Sequence, residues 1–114
     1  MVKLTCLLRR RDGMSPADFH SYWRESHGPL VASSESATYV LRYLQHHRPL
    51  EEYSGDDDPG YDGVTEQWFA CMDDYRASVE ASDFATLWAD LPKFLDVDRL
   101  EFVVTEEPVV IIER

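Results

Sequence analysis

Apolar and polar residues alternate through residues 2–9, with Val2, Leu4, Cys6 and Leu8 on one side and Lys3, Thr5, Leu7 and Arg9 on the other. That two-residue period predicts a first strand. Asp12-Gly13 marks a turn, and beyond it the period changes. Phe19, Tyr22, Trp23 and Ser26 then recur at helical spacing, while Ala17, Ser21 and Arg24 fall on the far side, so the spacing predicts an amphipathic helix with an aromatic inner face. Ser15 can cap it, Pro16 sits where a missing N–H is tolerated, and Asp18 puts negative charge in the first turn. Gly28 permits a left-handed exit and Pro29 turns Gly28 away from helix, so the helix is expected to end there, with His27 in its last turn or just past it. His20 and His27 both fall at the border between the apolar stripe and solvent.

Residues 38–48 are expected to form a second strand, with Tyr39, Leu41, Tyr43, Gln45 and His47 on one face and Val40, Arg42, Leu44, His46 and Arg48 on the other. Neither face is uniformly apolar, the pattern of a strand beside a pocket or a wet interface. Residues 64–72, bounded by turn signals, predict a third strand. Its faces carry Val64, Glu66, Trp68, Ala70 and Met72 against Thr65, Gln67, Phe69 and Cys71. Each face has a large aromatic, so each is expected to be covered, and a carboxylate at Glu66 must then be paired, shifted or wet. Asp73 caps a further helix, which restarts through the stripe Phe84, Leu87, Trp88, Leu91 until Pro92 interrupts it. Residues 100–104 and 109–112 read as the last strand, with Pro108 at an edge or bulge.

The order β-α-β-β-α-β is that of an α+β, ferredoxin-like sandwich with a four-stranded antiparallel sheet and helices on one face only. The bare face, with Trp68 and several valines, marks an association surface, and two such sheets facing each other predict an isologous homodimer.

At 114 residues the chain is expected to be one domain, spanning residues 1–114. Its net charge of −11 argues against nucleic acid and anionic membranes as partners. The Arg9-Arg10-Arg11 run reads as solvated, and the acidic stretch 49–63 as a solvated loop or mobile flap. Started from Asp56, the loop puts Tyr61 and Gln67 where a calcium loop needs Gly and Glu, so that motif fails. The opening residues lack the long apolar run of a secretory leader and no stretch reaches transmembrane length, so a cytoplasmic location is expected. Cys6 and Cys71, without CxxC spacing, read as small buried hydrophobes in a reducing compartment. His20 and His27 stand two turns apart, about 10 Å at helical rise, too far to share an ion, and no metal site is expected.

Phe19-His20-Ser21-Tyr22-Trp23-Arg24-Glu25-Ser26-His27-Gly28-Pro29-Leu30 resembles the signature of the EthD family within the dimeric α+β barrel proteins. Glu66-Gln67-Trp68-Phe69 resembles that family's third strand, and the stretch from Asp90 through Phe94-Leu95-Asp96 to Glu106-Glu107 its C-terminal portion. The resemblance implies the barrel fold, a dimer, and a ligand cavity between first helix and sheet, generally without metal or organic cofactor. Members are associated with ether catabolism, polyketide tailoring, dehydratase or decarboxylase-like steps and lactone isomerisation. In a similar lactone isomerase a histidine matching His27 and a cysteine matching Gln67 are placed in the active site; here Gln67 stands in the cysteine's place.

On that basis His27 is expected to be a general acid or base, with Gln67 orienting a substrate oxygen. Tyr22, Trp23, Tyr43, Phe69 and His47 are the candidate substrate-binding residues, around a hydrophobic, aromatic polyketide-like or lactone intermediate. An imidazole with its ordinary pKa near 6.5 can move protons at neutral pH unaided. Two alternatives stand beside this isomerase, cyclase, dehydratase or decarboxylase-like reading. One is a cofactor-free oxygenase that deprotonates an aromatic polyol and lets the anion meet oxygen; the other is a non-catalytic ligand-binding or scaffold dimer.

Overall fold

A computed structural model describes residues 1–114. The order is β1 (Val2–Leu8), α1 (Pro16–Tyr22), a π-helical turn (Trp23–His27), α2 (Gly28–Ala32), β2 (Arg42–His47), β3 (Gly63–Phe69), α3 (Met72–Glu80), α4 (Phe84–Asp90) and β4 (Glu101–Thr105), with short 3-10 turns between them. The strands form one antiparallel sheet in the order β2-β3-β1-β4. This is the α+β ferredoxin-like arrangement.

Register decides what each face carries. Leu4 pairs with Gln67 and Gln67 with Tyr43, while Cys6 pairs with Thr65 and Phe102, so these side chains share the helix-covered face with Leu8 and Phe69. Lys3, Glu66, Leu44, Trp68 and Val103 point the other way. On that outer face Glu66 accepts from Lys3 Nζ at 2.7 Å and meets His46 Nε2 at 2.6 Å. The bond from Lys3, with His46 beside it, holds the Glu66 carboxyl below the usual range against the opposing pull of burial.

The core lies between the sheet and the first helix: Phe19, Trp23 and Phe94 are fully buried and pack with Leu8 and Leu95. Ser15 caps α1 through its side-chain oxygen, which accepts from Asp18 N at 3.1 Å. Gly63, the first residue of β3, lies directly under the Trp23 ring. A Cβ there would sit 2.6 Å from Trp23 Cη2 and 2.9 Å from the His46 carbonyl oxygen. Neither a sealed indole nor a strand carbonyl can give way cheaply, so Gly63→Ala is expected to cost about 1–3 kcal/mol, measured as a lowered urea midpoint.

Several elements differ from the sequence expectation. The first helix runs on to Ala32, with Gly28 at φ −55°, ψ −53°, inside the helix. Pro29 has no N–H, and its ring would crowd the carbonyl four residues back. Widening the preceding turn to the π register, in which Gly28 N–H reaches the Trp23 carbonyl, lets the chain continue. Residues 36–39 form a 3-10 turn, so β2 is shorter than expected. Residues 109–112 are no strand: β4 ends at Thr105, Pro108 cannot donate to a ladder, and Val109 is 83% exposed. Cys71 is exposed and only Cys6 is shielded, its thiol pushed up by burial. Arg10 is buried rather than solvated, because Asp62, 1% exposed within the acidic loop, receives its Nη1 at 2.6 Å and its backbone N–H at 2.8 Å. No helix is long and apolar enough to cross a membrane.

Candidate active site

Between the sheet's inner face and the helices lies a cavity of about 650 Å³, open on one side, and 21 of its 26 lining residues are hydrophobic. No Asp, Glu, Lys or Arg lines it, and His27 is its only imidazole. A space of this size and polarity suits an uncharged, largely apolar small molecule.

The π-turn brings His27 to this wall. One extra residue in the turn rotates everything after Trp23 relative to an α register, and His27 lies on the buried face instead of the border that helical spacing predicts. Its Nδ1 lies 2.8 Å from Asp90 Oδ2. A carboxylate only accepts, so Nδ1 carries a proton, and in the neutral ring Nε2 holds the lone pair. Nε2 has no protein partner and is not sealed from solvent, whereas Trp68 Nε1 is buried without one. Nε2 is therefore accessible and unpartnered, on a residue that lines the cavity.

Asp90 closes α4 and is itself buried. It accepts the Tyr22 hydroxyl at 2.7 Å and lies 3.3 Å from Lys93 Nζ. Burial works to raise its pKa, but hydrogen bonds from Tyr22, His27 and Lys93 outweigh it and keep the carboxyl below the usual range. Burial and the Asp90 carboxylate together push Tyr22 up to about 12, so it stays a phenol and keeps donating. Both oxygens of Asp90 are thus engaged, and the imidazole is held in one tautomer and one orientation.

Asp90→Asn cannot accept from His27 and Tyr22 alike without turning its amide N–H₂ on one of them. It is expected to cost about 1–3 kcal/mol at neutral pH. A carboxyl held low in the fold contributes stability above its unfolded pKa of about 3.9 and loses it as pH falls below that value. Urea unfolding of the two proteins should therefore converge in acid.

Of the residues singled out from the sequence, His27, Gln67, Trp23, Tyr43 and Phe69 all line the cavity. Gln67 projects between Leu4 and Tyr43, and its amide has no partner within the chain, so it too is free to meet a ligand. Tyr22 does not line the space; it acts on Asp90 from behind. His47 does not line it either, because its ring lies against the other side of Trp23, 4.2 Å between centroids, and bonds to His20 and Gln45. Asp90 was missed, although its signal exists: a carboxylate three residues after Leu87, on the flank of an otherwise apolar helical stripe. No three His, Cys, Asp or Glu side chains converge as a metal would require.

The sequence profile of the EthD domain matches residues 11–98. No curated protein sequence matches the chain significantly. Among solved structures it is similar to an EthD family protein from Bacillus halodurans, with a TM-score of 0.68 at 15% identity over 95% of this chain and 99% of that one. A dimeric protein of unknown function with a ferredoxin-like fold from Bacteroides fragilis gives 0.64 at 13%, covering 93% and 95%. SnoaB, a cofactor-independent oxygenase from Streptomyces nogalater, gives 0.64 at 13%, covering 98% and 97%. At these identities the likenesses establish the fold.

Proposed function

The chain belongs to the EthD domain family, and from that premise we propose that it is a cofactor-independent enzyme in which His27 is the general acid–base acting on a neutral, largely apolar small molecule. One observation carries the reading: an imidazole on the wall of an uncharged cavity, its Nδ1 tied to a buried carboxylate and its Nε2 accessible and without a protein partner. In such a site Nε2 removes a proton from a phenol or from carbon beside a carbonyl, and Asp90 stabilises the imidazolium that forms. The Gln67 amide can hold the substrate oxygen on which charge develops. Returning the proton at a different atom gives an isomerase, cyclase or dehydratase-like outcome on a polyketide-like or lactone intermediate.

The fold likeness to SnoaB supports a second reading, in which the anion formed at His27 reacts with molecular oxygen. The outer sheet face, with Leu7, Leu44, Val64, Trp68 and Val103, supports assembly as a homodimer, as does the likeness to a structure described as dimeric.

A thermal-shift panel tests the reading: neutral phenols, polycyclic quinones and lactones should raise the melting temperature, as any ligand specific for the folded state does, and matched carboxylates should not. Turnover of a stabilising compound with oxygen uptake selects the oxygenase, and turnover without it the isomerase class. Stabilisation with no turnover leaves a binding protein and rejects catalysis.

A further inference from the structure

His20, Gln45, His47, Tyr53 and Asp62 do not line the cavity, yet their side chains join in one hydrogen-bonded chain behind Trp23. At one end Asp62 is ion-paired with Arg10 and accepts the Tyr53 hydroxyl at 2.6 Å. The Tyr53 oxygen lies 3.0 Å from His20 Nε2, His20 Nδ1 lies 2.7 Å from His47 Nδ1, and His47 Nε2 lies 2.8 Å from Gln45 Oε1. At the other end Gln45 Nε2 donates at 2.9 Å to the Trp23 carbonyl, the same oxygen that receives Gly28 N–H across the π-turn.

Counting protons along this chain exposes a deficit. Asp62 beside Arg10 only accepts, so Tyr53 gives it the single phenolic proton and must itself accept from His20 Nε2–H. The Trp23 carbonyl also only accepts, so Gln45 turns Oε1 toward His47, which must donate from Nε2. Two neutral rings would then each carry their one proton on Nε2, leaving two bare Nδ1 lone pairs facing each other at 2.7 Å. Turning the Gln45 amide over only moves the clash to the Trp23 carbonyl. One additional proton removes it.

We infer that His20 and His47 form a binding site for one shared proton between their Nδ1 atoms, and that this proton closes the chain from the Arg10–Asp62 pair to the π-turn carrying His27. The site stands on geometry whether or not His27 is catalytic. Several groups face it. The carboxylate of Asp62 favours loading, whereas Arg24 on the π-turn and Arg10, two residues beyond β1, oppose it. Arg48, stacked on Tyr53 at 4.1 Å, adds further positive charge, and the Trp23 indole offers its face to a loaded His47. Burial comes first among the opposing effects, and with Arg24 and the neighbouring His20 it takes His47 down to about 4. Loading therefore occurs on the acid side of an ordinary imidazole, and above that pH one link of the chain opens.

Ring-nitrogen NMR on the full chain, titrated with acid, tests this. The expected result is one proton taken up by the two rings together, at a single midpoint below 6.5, with the Gly28 amide shifting at that same midpoint. Tyr53→Phe removes the acceptor that obliges His20 to keep its Nε2 proton, so a neutral His20 can donate from Nδ1 and close the chain unaided. The midpoint then falls by about one pH unit. Gln45→Leu frees His47 Nε2 in the same way and should act in the same direction, which guards against misfolding of either variant. Two separate uptakes, one per ring, would overturn the inference, and so would an unmoved midpoint in both folded variants.

Discussion

His27→Gln lowers turnover of the compound selected by the thermal-shift panel by about 10²- to 10⁴-fold, the span that positioned acid–base groups supply. The loss is expected in kcat with KM little changed, because glutamine still fills the site but cannot exchange the proton. The fold itself should lose only about 1–3 kcal/mol, the cost of leaving one lobe of buried Asp90 without its donor. A matching fall in Asp90→Asn, smaller but in the same parameter, would mark Asp90 as a positioning residue acting through the imidazole. Unchanged turnover in folded His27→Gln would remove the imidazole from the chemistry.

Trp23→Ala should be the most damaging single change to stability, about 3–5 kcal/mol by urea unfolding. Trp23 is fully buried between Phe19, 5.5 Å away by centroids, and His47, 4.2 Å away, and it lies over Gly63. It also separates the cavity from the histidine chain behind it. Against a typical total of about 5–15 kcal/mol, such a loss removes a large share of the folded state's margin. Trp23→Phe keeps an aromatic contact with Phe19 and should cost less, while partly opening the wall between cavity and His47. Equal stability of wild type and Trp23→Ala would contradict the packing described for the core.

What the sequence disclosed was whatever depends on near neighbours. The two-residue alternation of β1 and β3, the Ser15-Pro16 helix start and the Phe19/Trp23 face each follow from a few consecutive side chains, and the structure has them close to where the pattern put them, except that β3 ends at Phe69 and α3 starts at Met72, with Cys71 rather than Asp73 before it. The side of β3 carrying Gln67 and Phe69 was readable for the same reason, and it is the side that meets the cavity. The π-turn was hidden because Gly28-Pro29 satisfies the rules for a helix end equally well; its buried residues, Trp23 and His27, meet partners distant in sequence, such as Asp90, which no local rule contains. Asp90 and His27 are 63 positions apart, Arg10 and Asp62 are 52, and His20 and His47 are 27. Each pair joins groups that are separately unremarkable: an arginine in a basic run, an aspartate in an acidic loop, a polar residue near a helix end. Only the fold turns them into buried partners, which is why local pattern places His47 at the ligand and gives Asp90 no role in the site.

Everything proposed for catalysis depends on His27 presenting a bare Nε2 to the cavity while Asp90 keeps its proton on Nδ1. Long-range proton–nitrogen NMR of the His27 ring at neutral pH reads this directly, with and without a cavity ligand from the panel. The expected spectrum has a protonated, pyrrole-type Nδ1 and a pyridine-type Nε2 whose resonance moves when a phenolic ligand binds, and that tautomer is lost in Asp90→Asn. A proton resting on Nε2, or an Nε2 resonance indifferent to every ligand that stabilises the fold, would contradict it.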